Sequence, residues 1–328
     1  MPLVVIERDH AVEAALVALV EDGVGGHGTG HVDAVRARLL DRGLEHLDLL
    51  VAHQAALTRV RVQRGERGTV DLIEAGTLSE ARFGEIDAEH GRAALDAIEK
   101  ACSLDVDGLV TGPINKEAAR AGGLKFPGHT ELLANLLGAD PDGVFTMFVV
   151  GKLRIFFLTR HLSLRDAIDA LTVEKVHDGI VRVDGLLREL GVEDPHVALA
   201  ALNPHAGEGG MMGDEEIKVL RPAVEKARGD GIDVSGPVPA DAVFHQGHEG
   251  RFDGVIALYH DQGHIASKTL DFFGTVSATL GLPVVRTSVD HGTAFDLAGT
   301  WKADARGQVN ALRVGAELAA LRARSSTA

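Results

Sequence analysis

Leu258-Tyr259-His260-Asp261-Gln262-Gly263-His264 closes an apolar run that begins at Val255. Four consecutive apolar residues bounded by polar chemistry read as a buried strand. In an open α/β sheet, ligands gather beyond the C-terminal ends of the strands. Two further segments repeat this layout. Ile155 to Leu158 leads to His161, and Val197 to Ala200 leads to Asn203-Pro204-His205. Three strand-end histidines are the arrangement expected of a metal site on an open sheet. Past Lys268 the same region ends in Arg286-Thr287-Ser288-Val289-Asp290-His291-Gly292-Thr293-Ala294-Phe295-Asp296.

Working outward, apolar runs alternate with helical spacings. Strands are predicted at Leu3 to Ile6, Leu47 to Val51, Val60 to Val62, Val70 to Ile73, Gly108 to Val110 and Val197 to Leu202. Phe145 to Val150 and Leu153 to Leu158 form a hairpin around Gly151-Lys152. Helices are predicted at Ala11 to Val20, Val32 to Leu40, Asp87 to Ala101, Ser163 to Leu171, Val173 to Leu190, Asp214 to Arg228 and Gln308 to Arg322. The helix from Asp87 starts acidic and places Ala93, Ala94, Ala97 and Ile98 on one face. Such alternation calls for a mostly parallel sheet with helices on both faces. The expectation is a two-lobed α/β/α fold with a cleft. One lobe takes approximately residues 1–125 plus 275–328, the other approximately 126–274.

The 328 residues suffice for two cores, and with only 4% aromatic residues these are built of Val, Leu, Ala and Ile. A net charge of −15 argues against a nucleic-acid partner. It leaves an anionic substrate possible, because local cations outweigh the global sign. Cys102 is the only cysteine, which excludes an internal disulfide and a Cys-based zinc ribbon. Arg8, Asp9 and His10 interrupt the first apolar run, and Lys152 and Arg154 break the best membrane-span candidate. A cytoplasmic protein without a membrane partner is therefore expected. Gly23-Val24-Gly25-Gly26-His27-Gly28 matches a dinucleotide-binding spacing but follows a helix rather than a strand, and reads as a plain loop.

Two stretches suit an anion. Thr111-Gly112-Pro113-Ile114-Asn115-Lys116 runs from a strand through a turn into a helix start, where amides and the Lys116 ammonium can meet a phosphate or carboxylate. An Asn115 cap with a solvated Lys116 is the alternative. Gly128-His129-Thr130-Glu131 opens another helix with Thr130 as its cap, and His129 and Thr130 suit the same kind of ligand; taken alone, the stretch favours the alternative of a cap without a ligand. Pro237 to Asp241 reads as a turn presenting one carboxylate. Asp241 and Asp261 are candidates to orient a histidine or relay a proton. Spacing alone makes Lys268 and Arg286 ordinary salt-bridge partners. His53, His90, His177, His196, His245 and His248 carry no partner pattern and read as surface residues.

Taken together and in order, these segments resemble the 4-hydroxythreonine-4-phosphate dehydrogenase family of pyridoxal phosphate biosynthesis. They are Thr111 to Lys116, Gly128 to Glu131, Thr159 to Leu164, Leu202 to Gly210, Pro239 to Asp241, Tyr259 to Gly263 and Thr279 to Ala298. The resemblance implies a fold similar to isocitrate and isopropylmalate dehydrogenases. It also implies NAD-dependent oxidation of a phosphorylated 3-hydroxy acid with β-decarboxylation. His161, His205 and His260 would bind a divalent metal (zinc, cobalt or magnesium), the third histidine coming from the partner subunit of a homodimer. His129, Thr130, Lys268, Ser277 and Arg286 would hold the phosphorylated substrate, with Lys116 beside them in a catalytic role. His291, Gly292, Thr293, Ala294 and Asp296 would lie against the adenosine end of NAD. The chain departs from the family at its start, where Glu7 to Val12 replaces a glycine-rich loop. Ser277 replaces an asparagine, and Tyr259 to His264 looks more like the branch acting on D-threonate or D-erythronate 4-phosphate. A dehydrogenase of a non-phosphorylated diol acid, similar to terephthalate dihydrodiol enzymes, and a non-enzymatic metal- and anion-binding relative are the alternatives.

Overall fold

The computed structural model describes residues 3–6, 49–53, 56–61, 69–75, 84–298, 300 and 302–325. The helices expected at 11–20 and 32–40, the glycine-rich stretch at 23–28 and the divergent start at 7–12 lie outside the described residues. The chain forms two compact units. One comprises Met1–Val144 with Val276–Ala320, the other Phe145–Thr275 with Leu321–Ala328.

The first unit contains β1 (Leu3–Ile6), β2 (Leu49–His53), β3 (Ala56–Arg61), β4 (Thr69–Glu74), β5 (Gly108–Thr111), β11 (Val276–Leu280) and β12 (Val285–Val289). They lie in the order β4-β3-β2-β1-β5-β12-β11. The β5–β12 ladder is parallel, with Arg286 opposite Leu109 and Ser288 opposite Thr111. The other ladders of this unit are antiparallel. Short connections explain this for β2–β3 and β11–β12, since a hairpin allows no crossover helix. Helices α1 (Ala88–Cys102), α2 (Lys116–Ala121) and α3 (His129–Leu136) complete this unit with much of α9 (Arg306–Ser325). Asp87 caps α1 by accepting from the Glu89 and His90 amides, and Lys100 sits in its last turn. The face it buries is Gly91, Ala93, Leu95, Ile98 and Ala101, so Leu95 belongs to the apolar stripe and Ala94 does not. Gly91 and Gly122 let α1 and α2 touch backbone to backbone. A Cβ on Gly91 would overlap the Ala118 carbonyl, and one on Gly122 would overlap the Arg92 amide.

The second unit contains β6 (Phe145–Val150), β7 (Leu153–Phe157), β8 (Val197–Ala200), β9 (Val234–Val238) and β10 (Gly254–Ala257), in the order β6-β7-β10-β8-β9. Here the sheet is parallel from β7 to β9, with β6 paired antiparallel to β7 through the expected hairpin. The central strands are buried on both faces, which accounts for their unbroken apolar runs. Ile155, Phe157, Ala198, Ala200, Val255 and Ala257 share a cluster with Val243 and Phe244 of α7 (Ala240–His248). Gly254 faces the other way, towards Phe156 and Leu187 of α5 (Val173–Glu189). The α/β class is as expected, with helices on both faces of a parallel sheet. The unit's remaining helices are α4 (Leu164–Asp169), α6 (Arg221–Gly229) and α8 (His260–Leu270).

Some elements differ from expectation. The helix expected from Asp214 opens as a π-turn, Glu216–Leu220, before α6. Pro222 in the first turn of α6 has no N–H to donate, which suits the change of register. Helix α7 begins at Ala240, so Asp241 stands in its first turn rather than in a plain turn. His177 is no surface residue: it is 8% exposed, and its two ring nitrogens meet Asp178 (3.0 Å) and Asp230 (2.6 Å). His196 is half-buried and bonded to the Ser235 hydroxyl at 2.9 Å. No described helix is long and apolar enough to cross a membrane.

Candidate active site

The first unit encloses an unneutralised cation. Arg286 on β12 is only 6% exposed. Its Nε and Nη2 donate to the Thr111 hydroxyl at 3.0 and 2.6 Å, and its Nη1 donates to the Thr279 hydroxyl at 3.1 Å. Among the described residues no carboxylate pairs with it. Three of the five guanidinium N–H groups are used in these bonds, leaving two for a ligand. Burial pushes its pKa down to about 10, so it stays charged at neutral pH. A buried charge without a counterion is costly, and an anionic ligand relieves that cost. The salt-bridge role expected from spacing alone is therefore not what Arg286 does.

His129 shares this environment. It is the first residue of α3, and its buried Nε2 has no hydrogen-bond partner among the described residues. Burial, and then the charges of Arg286 and Lys116, push its pKa down to about 3. The imidazole is accordingly neutral at physiological pH. The cap of α3 is Gly128, without a side-chain bond, and not Thr130, which sits half-buried inside the first turn. The Gly128 Cα faces two charged side chains: a Cβ there would lie 3.3 Å from Glu131 Oε2 and 4.0 Å from Lys116 Nζ. Lys116 opens α2, whose cap is Asn115, accepting from the Ala118 amide at 2.9 Å. Asn115 thus caps as the alternative reading expected, and the exposed Lys116 lends its charge to the surroundings of His129. Ser277, half-buried on β11, lies opposite Ser288, whose hydroxyl donates to the Thr111 carbonyl at 2.8 Å. Sequence reasoning missed Thr111 and Thr279 as Arg286 partners. Their signal was a hydroxyl at the end of Gly-Leu-Val-Thr and another within Val-Ser-Ala-Thr-Leu, both in buried strands.

The second unit gathers the histidines. The order β7-β10-β8 sets His260, which follows β10, between the strands leading to His161 and His205. Gln262 ties these strand ends together: its Oε1 accepts from the Leu258 amide and its Nε2 donates to the Ala201 carbonyl, each at 2.7 Å. The Thr159 hydroxyl donates to the Leu258 carbonyl at 2.7 Å. His260 opens α8. Its Nδ1 meets Asp261 at 2.6 Å, leaving Nε2 as the nitrogen available to a metal. Its ring stacks on His264 at 3.8 Å and lies 6.2 Å from that of His161. His161 and His205 are exposed and occupy left-handed backbone positions, φ 49° and 52°. Three imidazoles, one oriented by a carboxylate, are a donor set that fits zinc or cobalt. Among the described residues, no group of three or more His, Cys, Asp or Glu side chains converges on one point within the chain. Asp241 is exposed on α7, and Lys268 on α8 holds its ammonium over the Phe272 ring at 4.7 Å.

The His205 loop is unusual. His205, Ala206, Gly207, Glu208 and Gly209 all have positive φ, so the chain makes a left-handed turn. Each of its three non-glycine residues costs about 1–2 kcal/mol in that conformation. Beneath it lies Glu216, a fully buried carboxylate. Its Oε1 accepts from the Leu202 and Asn203 amides at 2.8 and 2.7 Å, and its Oε2 accepts from Asn203 Nδ2 at 2.9 Å. Burial raises the Glu216 pKa, and these donors outweigh it, holding it below the ordinary value.

His291 to Asp296 follows β12 as a mostly exposed loop. His291 Nδ1 bonds the Gly292 carbonyl at 2.8 Å. Thr293 is half-buried, Ala294 is left-handed at φ 45°, and Asp296 lies in a short 3₁₀ turn, Phe295–Leu297.

Comparison with known proteins defines the class: the chain is a two-unit α/β oxidoreductase that uses NAD. It belongs to the family of the pyridoxal phosphate biosynthetic protein PdxA, whose signature matches residues 31–315. A protein of Cutibacterium acnes, provisionally named D-threonate 4-phosphate dehydrogenase, is 51% identical over 262 residues, covering 77% of this chain and 75% of its own. A solved 4-hydroxythreonine-4-phosphate dehydrogenase of Burkholderia phymatum is 44% identical, with TM-score 0.67 and 78% of each chain covered. Another from Klebsiella pneumoniae is 43% identical, with TM-score 0.66, covering 73% of this chain and 74% of its own.

Proposed function

We propose that this protein oxidises D-threonate 4-phosphate, or its C2 epimer D-erythronate 4-phosphate, at the C3 hydroxyl. The observation that carries the phosphate is the buried Arg286, bonded to two neutral hydroxyls and, among the described residues, to no carboxylate. Arg286 and the neutral His129 bind the phosphate, with Thr130, Ser277 and Lys268 as the further substrate-binding set. Lys116 adds positive charge at His129 and is the catalytic candidate of this group. The names of the curated relatives support a sugar-acid phosphate over 4-hydroxythreonine 4-phosphate as the substrate.

The His291 to Asp296 loop is the candidate to hold the adenosine end of NAD, which would supply the hydride acceptor for C3. A divalent metal held by His161, His205 and His260 would supply Lewis-acid polarisation of the C3 oxygen. The Asp261 carboxylate fixes which nitrogen of His260 faces outward, and Asp241 is the candidate proton relay. Oxidation at C3 makes a β-keto acid, whose C1 leaves as CO2 and whose remaining three carbons keep the phosphate. We also propose a homodimer, in which the histidine set is completed between copies.

The test is a substrate panel followed by NADH formation and CO2 release. D-Threonate and D-erythronate 4-phosphates should be oxidised, with one CO2 per NADH, at higher kcat/KM than 4-hydroxythreonine 4-phosphate. Preference for the amino acid phosphate would return the chain to the biosynthetic reading, and NADH without CO2 would remove the decarboxylation.

A further inference from the structure

We infer that Glu216 is a positioning residue for His205: it fastens the strained left-handed turn by which this loop presents the imidazole. The inference rests on the reading of His205 as a metal ligand and extends it to a residue that touches neither metal nor substrate.

The turn from His205 to Gly209 is bonded to the chain on either side of it. Within it the Ala206 amide donates to the Asn203 carbonyl at 3.1 Å, and the Gly207 carbonyl accepts from the Met212 amide at 3.2 Å. Positive φ at His205, Ala206 and Glu208 is unfavourable for residues with a Cβ, so something outside the turn must fix it. Glu216 meets that need from both sides. Its Oε1 takes both backbone amides at the exit of β8, Leu202 and Asn203, two residues before His205. Its Oε2 shares the Asn203 Nδ2 with Glu215 Oε2, and it lies 2.8 Å from where a Cβ on Gly207 would stand, so the carboxylate packs against the turn itself. A second glycine closes the other side: a Cβ on Gly213 would stand 2.6 Å from Asn203 Nδ2. One buried carboxylate thus pins the residues just before His205 and limits the one two places after it. A carboxylate with two acceptor oxygens fits three N–H donors, whereas an amide there would turn a donor towards Asn203 Nδ2.

The prediction follows from that geometry. In the full-length protein, cobalt(II) alone is titrated by calorimetry into the wild type, Glu216→Gln, Glu216→Asp and His205→Ala. Glu216→Gln should weaken cobalt binding about 10- to 100-fold, the usual effect of losing a group that orients a ligand. Hydrogen exchange at the Leu202 and Asn203 amides should speed up in the same variant. Glu216→Asp keeps the charge but withdraws it by one methylene, and should bind cobalt more weakly than wild type while remaining folded. It carries the test if Glu216→Gln fails to fold. Cobalt affinity unchanged in the folded Glu216 variants, with His205→Ala losing it, would overturn the inference alone. Cobalt affinity unchanged in His205→Ala would overturn the ligand reading, and the inference with it. Loss of cobalt affinity in Glu216→Gln with hydrogen exchange at the Leu202 and Asn203 amides unchanged would reduce Glu216 to general stability and also overturn the positioning role.

Discussion

His129 carries the clearest consequence at the scale of one residue. Its pKa in the folded chain is about 3, against an ordinary 6.5. Between those values the unfolded chain binds a proton that the folded chain refuses. The stability His129 contributes is therefore complete above about pH 6.5 and is lost as pH falls towards about 3, with a slope of at most about 1.4 kcal/mol per pH unit. His129→Gln, which cannot charge, should flatten the acid side of a plot of urea midpoint against pH. An identical slope in the variant would place the acid sensitivity elsewhere. This residue also shows where reading a sequence stops. The histidine and its helix start were legible at Gly128-His129-Thr130, but its lowered pKa was not, because that depends first on burial and then on the charges of Arg286 and Lys116, which only folding supplies. Thr111 lay hidden for the same reason: it meets Arg286 across a sequence separation of 175 residues.

Among elements, the contact of α1 with α2 sets the position of Lys116. The two helices approach over Gly91 and Gly122, with no room for a side chain. Gly91→Ala should destabilise the protein by about 1–3 kcal/mol, as overpacking does, and raise the KM of a phosphorylated substrate by displacing α2. Gly185→Ala is the matched control, since a Cβ there meets nothing within 4 Å inside α5. It should stabilise by about 0.5–1 kcal/mol. Thermal melts and KM measured on both variants check the pair, and a harmless Gly91→Ala would show that α1 and α2 separate easily. The apolar runs of β5, β7, β8 and β10 and the hairpin at Gly151-Lys152 were legible because burial on both faces leaves an unbroken apolar signature. The turn at His205 was not, since three of its five left-handed residues carry side chains that normally avoid that conformation. Nor was the fastening of α5 by His177, whose partner Asp230 lies 53 positions away.

For the whole molecule, the net charge of −15 says little about the substrate, because under the proposed function the charge that would matter is one buried arginine. The proposed sharing of histidines between copies can be read by mixing variants. His205→Ala and His260→Ala should each be nearly inactive, as two imidazoles hold a catalytic metal poorly. After subunit exchange the mixture should regain activity at about a quarter of its sites, since random pairing makes about half the dimers heterodimers with one intact site. A companion mixture of His161→Ala with His205→Ala shows which two histidines act in one chain: it stays inactive if His205 pairs with His161, and recovers if His161 pairs with the nearby His260. Failure of the first mixture after verified exchange would place all three in one chain. The most direct test of the central claim is the ratio of kcat/KM for D-threonate 4-phosphate to that for D-threonate, in the wild type and in Arg286→Met. The wild type should favour the phosphorylated acid strongly. Loss of charge-assisted bonds worth about 1.5–3 kcal/mol should lower the ratio about 10- to 200-fold in the variant, mainly through KM. A folded Arg286→Met enzyme that keeps the wild-type ratio would contradict the account, because the buried cation would then not be what recognises the phosphate.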